Sequence, residues 1–576
     1  MSSTVSSHLV EVLEKHKINH VFELIGGMIT IMVDELHRSD SIQVHSMHHE
    51  QGAAFAAEGL ARVDGKFGVA LATSGPGATN LITGIGSSFF DSVPMLFITG
   101  QVNSSEISNN PELRQSGFQE MDIVSMVKPI TKYAVRLSNP DEFPFILENA
   151  IELATTGRKG PVLIDIPMDY QRSEIRQKIY IEKSPSKPVD ISKIDKFNDD
   201  LSSALAESIR PLIIAGGGIS SATQTAQFRE FVVSKNIPVV RSLMGLDALP
   251  TSSALNVGFL GSYGNRWANL AIADADLLLV MGSRLDIRQT GSDVNGFLGN
   301  RKVFQVDIDA AEIDYRVTTT KSLNCELADY LKFSQNHHFT FSNEKLNSWL
   351  QHIEQIKMKY PHDFENIPQT GINPNSAIEK ISKEWQDVGT FVTDVGQHQM
   401  WVAQSLQLND HQRCLTSGGM GAMGFGLPAA IGAAFNDKSA PVCLFAGDGG
   451  LQLNIQELET LKRNNLNIRI IVLDNKTHGM VRQFQETYFN GRYGSTLDGY
   501  SAPNFAKIAQ AYGIEGLEIG DDEELTQAIN RYRDFQGPLL LCLKIETFLN
   551  VYPKLAFGKN FGAMEPQVKS SEMEGT

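Results

Sequence analysis

Cysteine is scarce in this chain: Cys325, Cys414, Cys443 and Cys542 are the only four among 576 residues. They lie far apart without CxxC spacing, which excludes a disulfide-stapled scaffold and a zinc ribbon, and fits reduced, packed thiols in a cytoplasmic protein. No apolar run reaches the roughly 18 residues of a membrane span. The N-terminal MSSTVSSHLVEVLEKH lacks the basic start and apolar core of a secretory signal. Positive charge is short as well, since 50 basic against 66 acidic residues leave a formal net charge of −16. With no basic stripe to offset that balance, the expected partners include neither nucleic acid nor membrane. Phosphate, if bound, must be held locally by glycine-rich turns, helix N-termini or a metal ion. Short-period repeats and low-complexity tracts are missing too, which excludes a solenoid.

What is present is strand–helix alternation over a length that allows three or four domains at roughly 150 residues each. Apolar runs bounded by glycine, proline or threonine read as buried parallel strands: Gly68–Thr73, Pro94–Thr99 and Pro161–Ile166 in a first unit. A second unit carries Pro211–Ala215, Ile237–Val240, Leu277–Met281 and Val303–Ile308, and a third carries Thr390–Asp394, Val442–Ala446, Ile468–Leu473 and Leu539–Ile545. Ser184–Pro188 reads as a linker and residues 343–372 as a polar, irregular or helical connector. The expectation is an α/β protein of three doubly wound domains with mainly parallel sheets, over 1–183, 190–342 and 370–550, with a tail at 551–576. Ligands in such sheets sit at the carboxyl ends of strands.

Two of the expected strands end on small oxygen-bearing side chains. FAGDGG (Phe445–Gly450) presents Asp448, and LDNKTHGM (Leu473–Met480) presents Asn475, 27 residues on. That spacing is about one strand–helix–strand unit, so adjacent parallel strands would bring the two side chains to one edge. A carboxylate and an amide carbonyl are hard oxygen ligands suited to Mg²⁺, whose shell is usually completed by phosphate and water. Gly447, Gly449 and Gly450 would let the backbone approach a diphosphate, with the next helix N-terminus offering N–H groups. GDG alone reads more readily as a glycine turn with a capping Asp; Asn475 at this distance favours the metal.

GDG followed by DN at this spacing resembles the metal motif of thiamine-diphosphate enzymes, with Asp474 in place of the first Asn of the usual NN. The resemblance implies that Asp448 and Asn475 ligate Mg²⁺ by side chain and Thr477 by its carbonyl oxygen. Gln397 and His398, in TDVGQHQMW, match residues that touch the diphosphate, alongside Gly479 and Met480. Glu50, in SMHHEQGAAFAAEGLAR before the Ser74–Gly77 turn, matches the carboxyl group that shares a proton with the far pyrimidine nitrogen. Burial favours the protonated form such a group needs; alone, Glu50 is a first-turn residue favoured by the helix dipole. Met423, in SGGMGAMGFGLP, matches the prop that bends the cofactor, and Gly421 the backbone that meets the aminopyrimidine. In this family the active site lies between the N-terminal domain of one chain and the C-terminal domain of another, which implies a homodimer or homotetramer.

The resemblance covers nearly the whole chain and is nearest to the acetolactate synthase group, through FQEMDIV, GRKGPVLIDIP and SGGMGAMGFGLPAAIGAA. That group carries FAD in its middle domain. Contact positions are matched by Arg158, by Gly216, Gly217 and Gly218, by Leu243 and Met244, and by Gly282, Arg284 and Asp286. Asp307, Ile308 and Glu312 complete the set. Phe118 and Gln119 face the substrate by resemblance, Gln119 as a polar partner of donor or acceptor. Arg288 matches an arginine that pairs an acceptor carboxylate or touches the flavin. Departures fall in the substrate pocket: VFELIGGM around Gly26, Met168 in place of a lysine, and Phe484 in place of a tryptophan. An insert, NSSEISNNPELRQSG, precedes Phe118. These features, with YGNRWAN and PKLAFG, look like a sister branch linked to surface-polysaccharide sugar biosynthesis. The implied reaction is decarboxylation of pyruvate, or another 2-oxo acid, and transfer of the two-carbon unit to a second carbonyl. That acceptor is a second pyruvate, giving 2-acetolactate, or a nucleotide-linked keto sugar; a pyruvate oxidase and a simple 2-oxo acid decarboxylase are the other readings. The loop-like segment 550–566 is expected to close over the site.

Overall fold

Apolar strands gather into three six-stranded sheets, all of whose strand pairs run parallel, in the computed structural model, which describes residues 3–110, 112–177, 189–361, 365–559 and 561–567. The first sheet comprises β1 (His20–Leu24), β2 (Gln43–Ser46), β3 (Gly68–Ala72), β4 (Met95–Gln101), β5 (Tyr133–Arg136) and β6 (Pro161–Pro167), in the order β2-β1-β3-β4-β6-β5. The second comprises β7 (Pro211–Ala215), β8 (Val239–Arg241), β9 (Asn256–Phe259), β10 (Leu277–Met281), β11 (Lys302–Asp307) and β12 (Lys321–Asn324). Its order, β12-β11-β10-β7-β8-β9, is the dinucleotide-binding arrangement with a topological switch between β7 and β10. The third comprises β13 (Thr390–Thr393), β14 (Arg413–Thr416), β15 (Val442–Gly447), β16 (Ile468–Asp474), β17 (Glu515–Ile519) and β18 (Leu539–Lys544), in the order β14-β13-β15-β16-β18-β17. The first and third sheets therefore share one strand order.

The central strands are fully buried because helices cover both faces. Between the first and third sheets, helix Glu50–Asp64 crosses helix Gly426–Asn436. Alanine and glycine on both surfaces let the two backbones approach, and Ala53–Ala57 and Ala429–Ala430 join one continuous core with Phe22, Phe55 and Phe425. The polar connector forms helix Asn343–Lys359, anchored by Trp349, whose indole N–H donates to the Pro211 carbonyl at 3.1 Å. Residues 184–188, read as a linker, lie outside the described residues. Beyond residue 550 the tail makes a short antiparallel ribbon, Lys554–Leu555 against Met564–Glu565, lying on the middle domain. Among the described residues no helix is long and apolar enough to cross a membrane.

Candidate active site

The carboxyl ends of β15 and β16 meet as the spacing predicts. The strands are adjacent and Gly447 pairs with Leu473, so Asp448 and Asn475 stand one residue beyond each strand on the same edge. Both are buried, as is Thr477. Asn475 donates from Nδ2 to Oε1 of Gln397 at 2.8 Å, while its Oδ1 accepts from the Thr477 N–H at 3.3 Å. Those two bonds fix the amide so that its oxygen end faces the Thr477 turn. Burial, with the nearby Asp474 carboxylate adding to it, pushes Asp448 up to about 7. A carboxylate in that position gains most from a cation.

The same edge offers an anion cradle. His398 is fully buried, its Nε2 has no hydrogen-bond partner, and burial pushes its imidazole down to about 3. Gly447 is small for a reason: a Cβ there would stand 2.8 Å from His398 Nδ1. Gly449 lies within the first turn of helix Asp448–Leu453, next to Gly450, and Gly479 starts helix Gly479–Tyr488; a Cβ at these three would press on His478, Asp394 and Gln397 respectively. An orphaned imidazole nitrogen, glycines at two helix starts and an Asp/Asn oxygen pair fit a Mg²⁺–diphosphate group.

Above the cradle opens a cavity of about 890 Å³. Its lower wall carries Gly421, Met423, Met480 and Phe484. Its other half is the carboxyl edge of the middle sheet: Gly217 and Gly218 after β7, Leu243 and Met244 after β8, and Gly282, Arg284, Asp286 and Arg288 after β10. Asp307 ends β11, Ile308 and Glu312 follow it, and Arg158 reaches in from the first domain. Its guanidinium pairs with Asp309 at 2.8 Å and Glu312 at 2.7 Å. Gly216 does not line the cavity; it packs beneath Gly282, whose carbonyl would lie 2.0 Å from a Cβ. Lys554, Leu555 and Phe557 of the tail form part of the wall.

Five of the expected site residues stand elsewhere in this chain. Glu50, Gln119, Phe118, Gly26 and Met168 all follow strands of the first sheet, at its carboxyl edge, and none lines the cavity. Glu50 is buried and accepts from Asn80 Nδ2 at 2.9 Å. Gln119 has a left-handed backbone, φ 66°, and its carbonyl lies 2.6 Å from Ser74 Oγ. A non-glycine residue there costs energy that surrounding contacts must offset. Phe118 is 79% exposed and Ile25, beside half-buried Gly26, is 51% exposed; Met168 is half-buried at the end of β6.

Sequence reasoning missed Asp394 and Tyr500. Asp394, fully buried after β13, accepts from the N–H groups of Val395 at 2.7 Å, Gly424 at 3.0 Å and Gly426 at 2.8 Å, tying the turn before His398 to the loop of Met423. Its strand-end position was a signal. Tyr500 donates to Asp448 Oδ2 at 3.0 Å from an irregular segment that carries no local signal.

Comparison with known proteins agrees with this geometry. Residues 3–126 match the N-terminal TPP binding domain of thiamine pyrophosphate enzymes, residues 199–332 their central domain and residues 394–542 their C-terminal TPP binding domain. The chain is 36% identical over 565 residues to an acetolactate synthase large subunit of Lactococcus lactis, covering 96% of this chain and 95% of that one. It is 34% identical over 561 residues to the acetolactate synthase isozyme 2 large subunit of Escherichia coli, covering 96% and 98%. A third relative, the acetolactate synthase large subunit of Cyanidium caldarium, is 35% identical over 575 residues, with 96% and 95% covered. With the three domains of thiamine pyrophosphate enzymes in order and relatives this similar end to end, the chain belongs to the acetolactate synthase family of thiamine-diphosphate enzymes.

Proposed function

We propose that the protein decarboxylates pyruvate and joins the resulting two-carbon unit to a second pyruvate, giving 2-acetolactate. The observation that carries this reading is the pairing of β15 with β16, which sets Asp448 beside Asn475 on the edge that also carries the Gly421–Met423 loop. In this reading Asp448, Asn475 and the Thr477 carbonyl hold Mg²⁺, while His398, Gln397 and the N–H groups at Gly449, Gly450, Gly479 and Met480 hold the diphosphate. When bound, thiamine diphosphate supplies the electron sink for loss of carbon dioxide and for attack on the second carbonyl. Met423 props the cofactor from the cavity wall. Glu50 of a second copy holds a proton at the pyrimidine nitrogen, and Phe118 and Gln119 of that copy face the substrate, with Gly26 and Met168 shaping the same edge. The exposed apolar side chains Phe118, Ile25 and Leu113 at that edge support a homo-oligomer. Arg288 and Phe484 line the acceptor side of the cavity, Arg288 offering a fork to a carboxylate. FAD occupies the middle-domain half, at the switch between β7 and β10. Four free cysteines fit a cytoplasmic setting.

A larger acceptor, such as a nucleotide-linked keto sugar, is the second reading. It is favoured by a smaller cavity of about 200 Å³ that shares Ser262, Arg288 and Phe557 with the main one and adds Lys559 under the tail. The test is product analysis with pyruvate, thiamine diphosphate and Mg²⁺, with and without FAD. Acetolactate and carbon dioxide in equal amounts support the first reading. Slow carbon dioxide release that a nucleotide-linked keto sugar accelerates supports the second. Absence of carbon dioxide from pyruvate and other small 2-oxo acids overturns both.

A further inference from the structure

The loop that carries Gly421 and Met423 is gripped by a buried ion cluster from another domain. Asp91 ends helix Ile82–Phe90 of the first domain, and its side chain is 1% exposed. Its Oδ1 accepts from the Gly419 N–H at 2.6 Å. Its Oδ2 accepts from the Gly418 N–H at 3.1 Å and from Arg62 Nη2 at 2.8 Å. Arg62 in turn pairs with Glu58 one helical turn back, donates from Nη1 to the Thr416 carbonyl at 2.8 Å, and lies over the ring of Phe425 at 5.4 Å. Residues 416, 418, 419 and 425 thus bracket Gly421 and Met423 on both sides. The fit is tight, because a Cβ at Gly419 would stand 2.8 Å from Asp91 Oδ1 and 2.9 Å from the Phe90 carbonyl. Next along the loop, Met420 sulfur lies 3.0 Å from where a Cβ on Gly86 would be.

A carboxylate this deeply buried is costly unless each oxygen is paired with charge or N–H. Here the pairing goes to the backbone at the start of the loop, where Gln399 Nε2 also donates to the Ser417 carbonyl at 3.2 Å and the Ala422 N–H reaches Ser417 Oγ at 3.1 Å. The far end, beyond the turn of Gly421 at φ 66°, is held by Asp394 through the Gly424 and Gly426 N–H groups. The first domain therefore holds the leading end of a loop in the third, whose trailing end its own domain holds. We infer that Asp91, oriented by Arg62 and Glu58, is a positioning residue that holds the Ser417–Met423 loop in the form that receives the cofactor's aminopyrimidine. The inference rests on the thiamine-diphosphate reading above. It also gives helix Glu50–Asp64 two tasks, since Arg62 lies 12 residues, about 18 Å along the axis, from Glu50. Its first turn serves the site that takes its Glu50; its last turn braces the loop of its own chain.

The test compares wild type with Asp91→Asn and Gly419→Ala. Thiamine diphosphate affinity is read by calorimetry at saturating Mg²⁺, near-ultraviolet circular dichroism follows the bound cofactor, and melting temperature follows the cofactor-free protein. Hydrogen bonds to a charged partner are worth enough that both variants should bind thiamine diphosphate on the order of tenfold more weakly, with an altered cofactor dichroism. The cofactor-free melting temperature should fall by only a few degrees, because the Arg62–Glu58 pair persists. Gly419→Ala keeps every charge paired, so it decides the matter if Asp91→Asn does not fold. Unchanged affinity and dichroism in the folded variants, whatever their melting temperatures, would overturn the positioning role alone. A wild-type protein that binds no thiamine diphosphate would overturn the function reading and this inference with it.

Discussion

Gly479→Ala tests the cation site through a residue that would not itself touch the cation. The added Cβ would lie 1.8 Å from Gln397 Oε1 and 2.9 Å from Asn475 Nδ2, closer than packed atoms tolerate. Gln397 is the end that can rotate away, and in doing so it leaves its bond to the Leu549 carbonyl at 3.1 Å and the 2.8 Å bond it accepts from Asn475. That second bond is what tells the Asn475 amide which end is oxygen. Freed, the amide can turn and present –NH₂ to the cation. Loss of a group that orients a metal ligand typically costs ten- to a hundredfold in metal affinity, roughly 1.4 to 2.7 kcal/mol. The assay is a Mg²⁺ titration of thiamine diphosphate binding, followed calorimetrically. Adding Asn475→Asp supplies the control: a carboxylate presents oxygen either way round, so the double variant should recover most of the lost affinity. Equal Mg²⁺ half-saturation in wild type and Gly479→Ala, or no recovery in the double variant, would refute the orientation argument.

Glu50→Gln should abolish carbon dioxide release from pyruvate while leaving Mg²⁺ and thiamine diphosphate binding intact; undiminished turnover would remove Glu50 from the chemistry. His20 and His45 share a hydrogen bond of 2.9 Å, and burial, followed by the charges around them, lowers them to about 4 and about 3. Since the unfolded chain takes up these protons first, near 6.5, their contribution to stability is complete above that pH and is lost as the pH falls toward 3. His45→Gln should therefore shrink the drop in melting temperature between pH 7 and pH 5, and an undiminished drop would place acid sensitivity elsewhere.

What could be read in the sequence follows from burial. PLIIA and LLLVM became β7 and β10 residue for residue, because strands covered on both faces must be apolar throughout. QVHS, YAVR, KSLN, RCLT and EGLEI went unread; all are edge strands, where polar side chains meet solvent on one side. HVFEL is interior yet equally hidden, since Glu23 interrupts it with a buried carboxyl bonded to Ser46. The site divides in the same way. Asp448 and Asn475 were legible because one strand–helix–strand unit fixes their spacing. Asp91 and Tyr500 reach their partners across 328 and 52 residues, and no local pattern records such contacts.

The shared strand order of the first and third sheets gives the two domains equivalent helices, and these bear on which copy supplies Glu50 to the proposed site. In each, the second strand leads into a helix and then the third strand: β2, Glu50–Asp64, β3 and β14, Gly426–Asn436, β15. These equivalent helices cross reciprocally, with Gly432 beneath the Ala56 carbonyl, at 1.8 Å from a Cβ, and Gly59 beneath the Ala429 carbonyl, at 2.2 Å. Pairing 56 with 432 and 59 with 429 is an antiparallel register, so the N-terminal ends of the two helices point apart. Glu50 lies six residues before Ala56, about 9 Å toward one end, and Met423 lies six residues before Ala429, toward the other. Within one chain Asn454 Nδ2 bridges Gln51 Oε1 at 3.1 Å and the Gly424 carbonyl at 2.8 Å, so which copy supplies Glu50 to the proposed site is a matter for experiment. The question is decided by mixing two inactive variants, Glu50→Gln and Asp448→Asn, under conditions that exchange subunits. If sites form between copies, each mixed dimer holds one site with both Glu50 and Asp448 intact, and activity returns. If each chain builds its own site, every site keeps one lesion and the mixture stays as inactive as its parts.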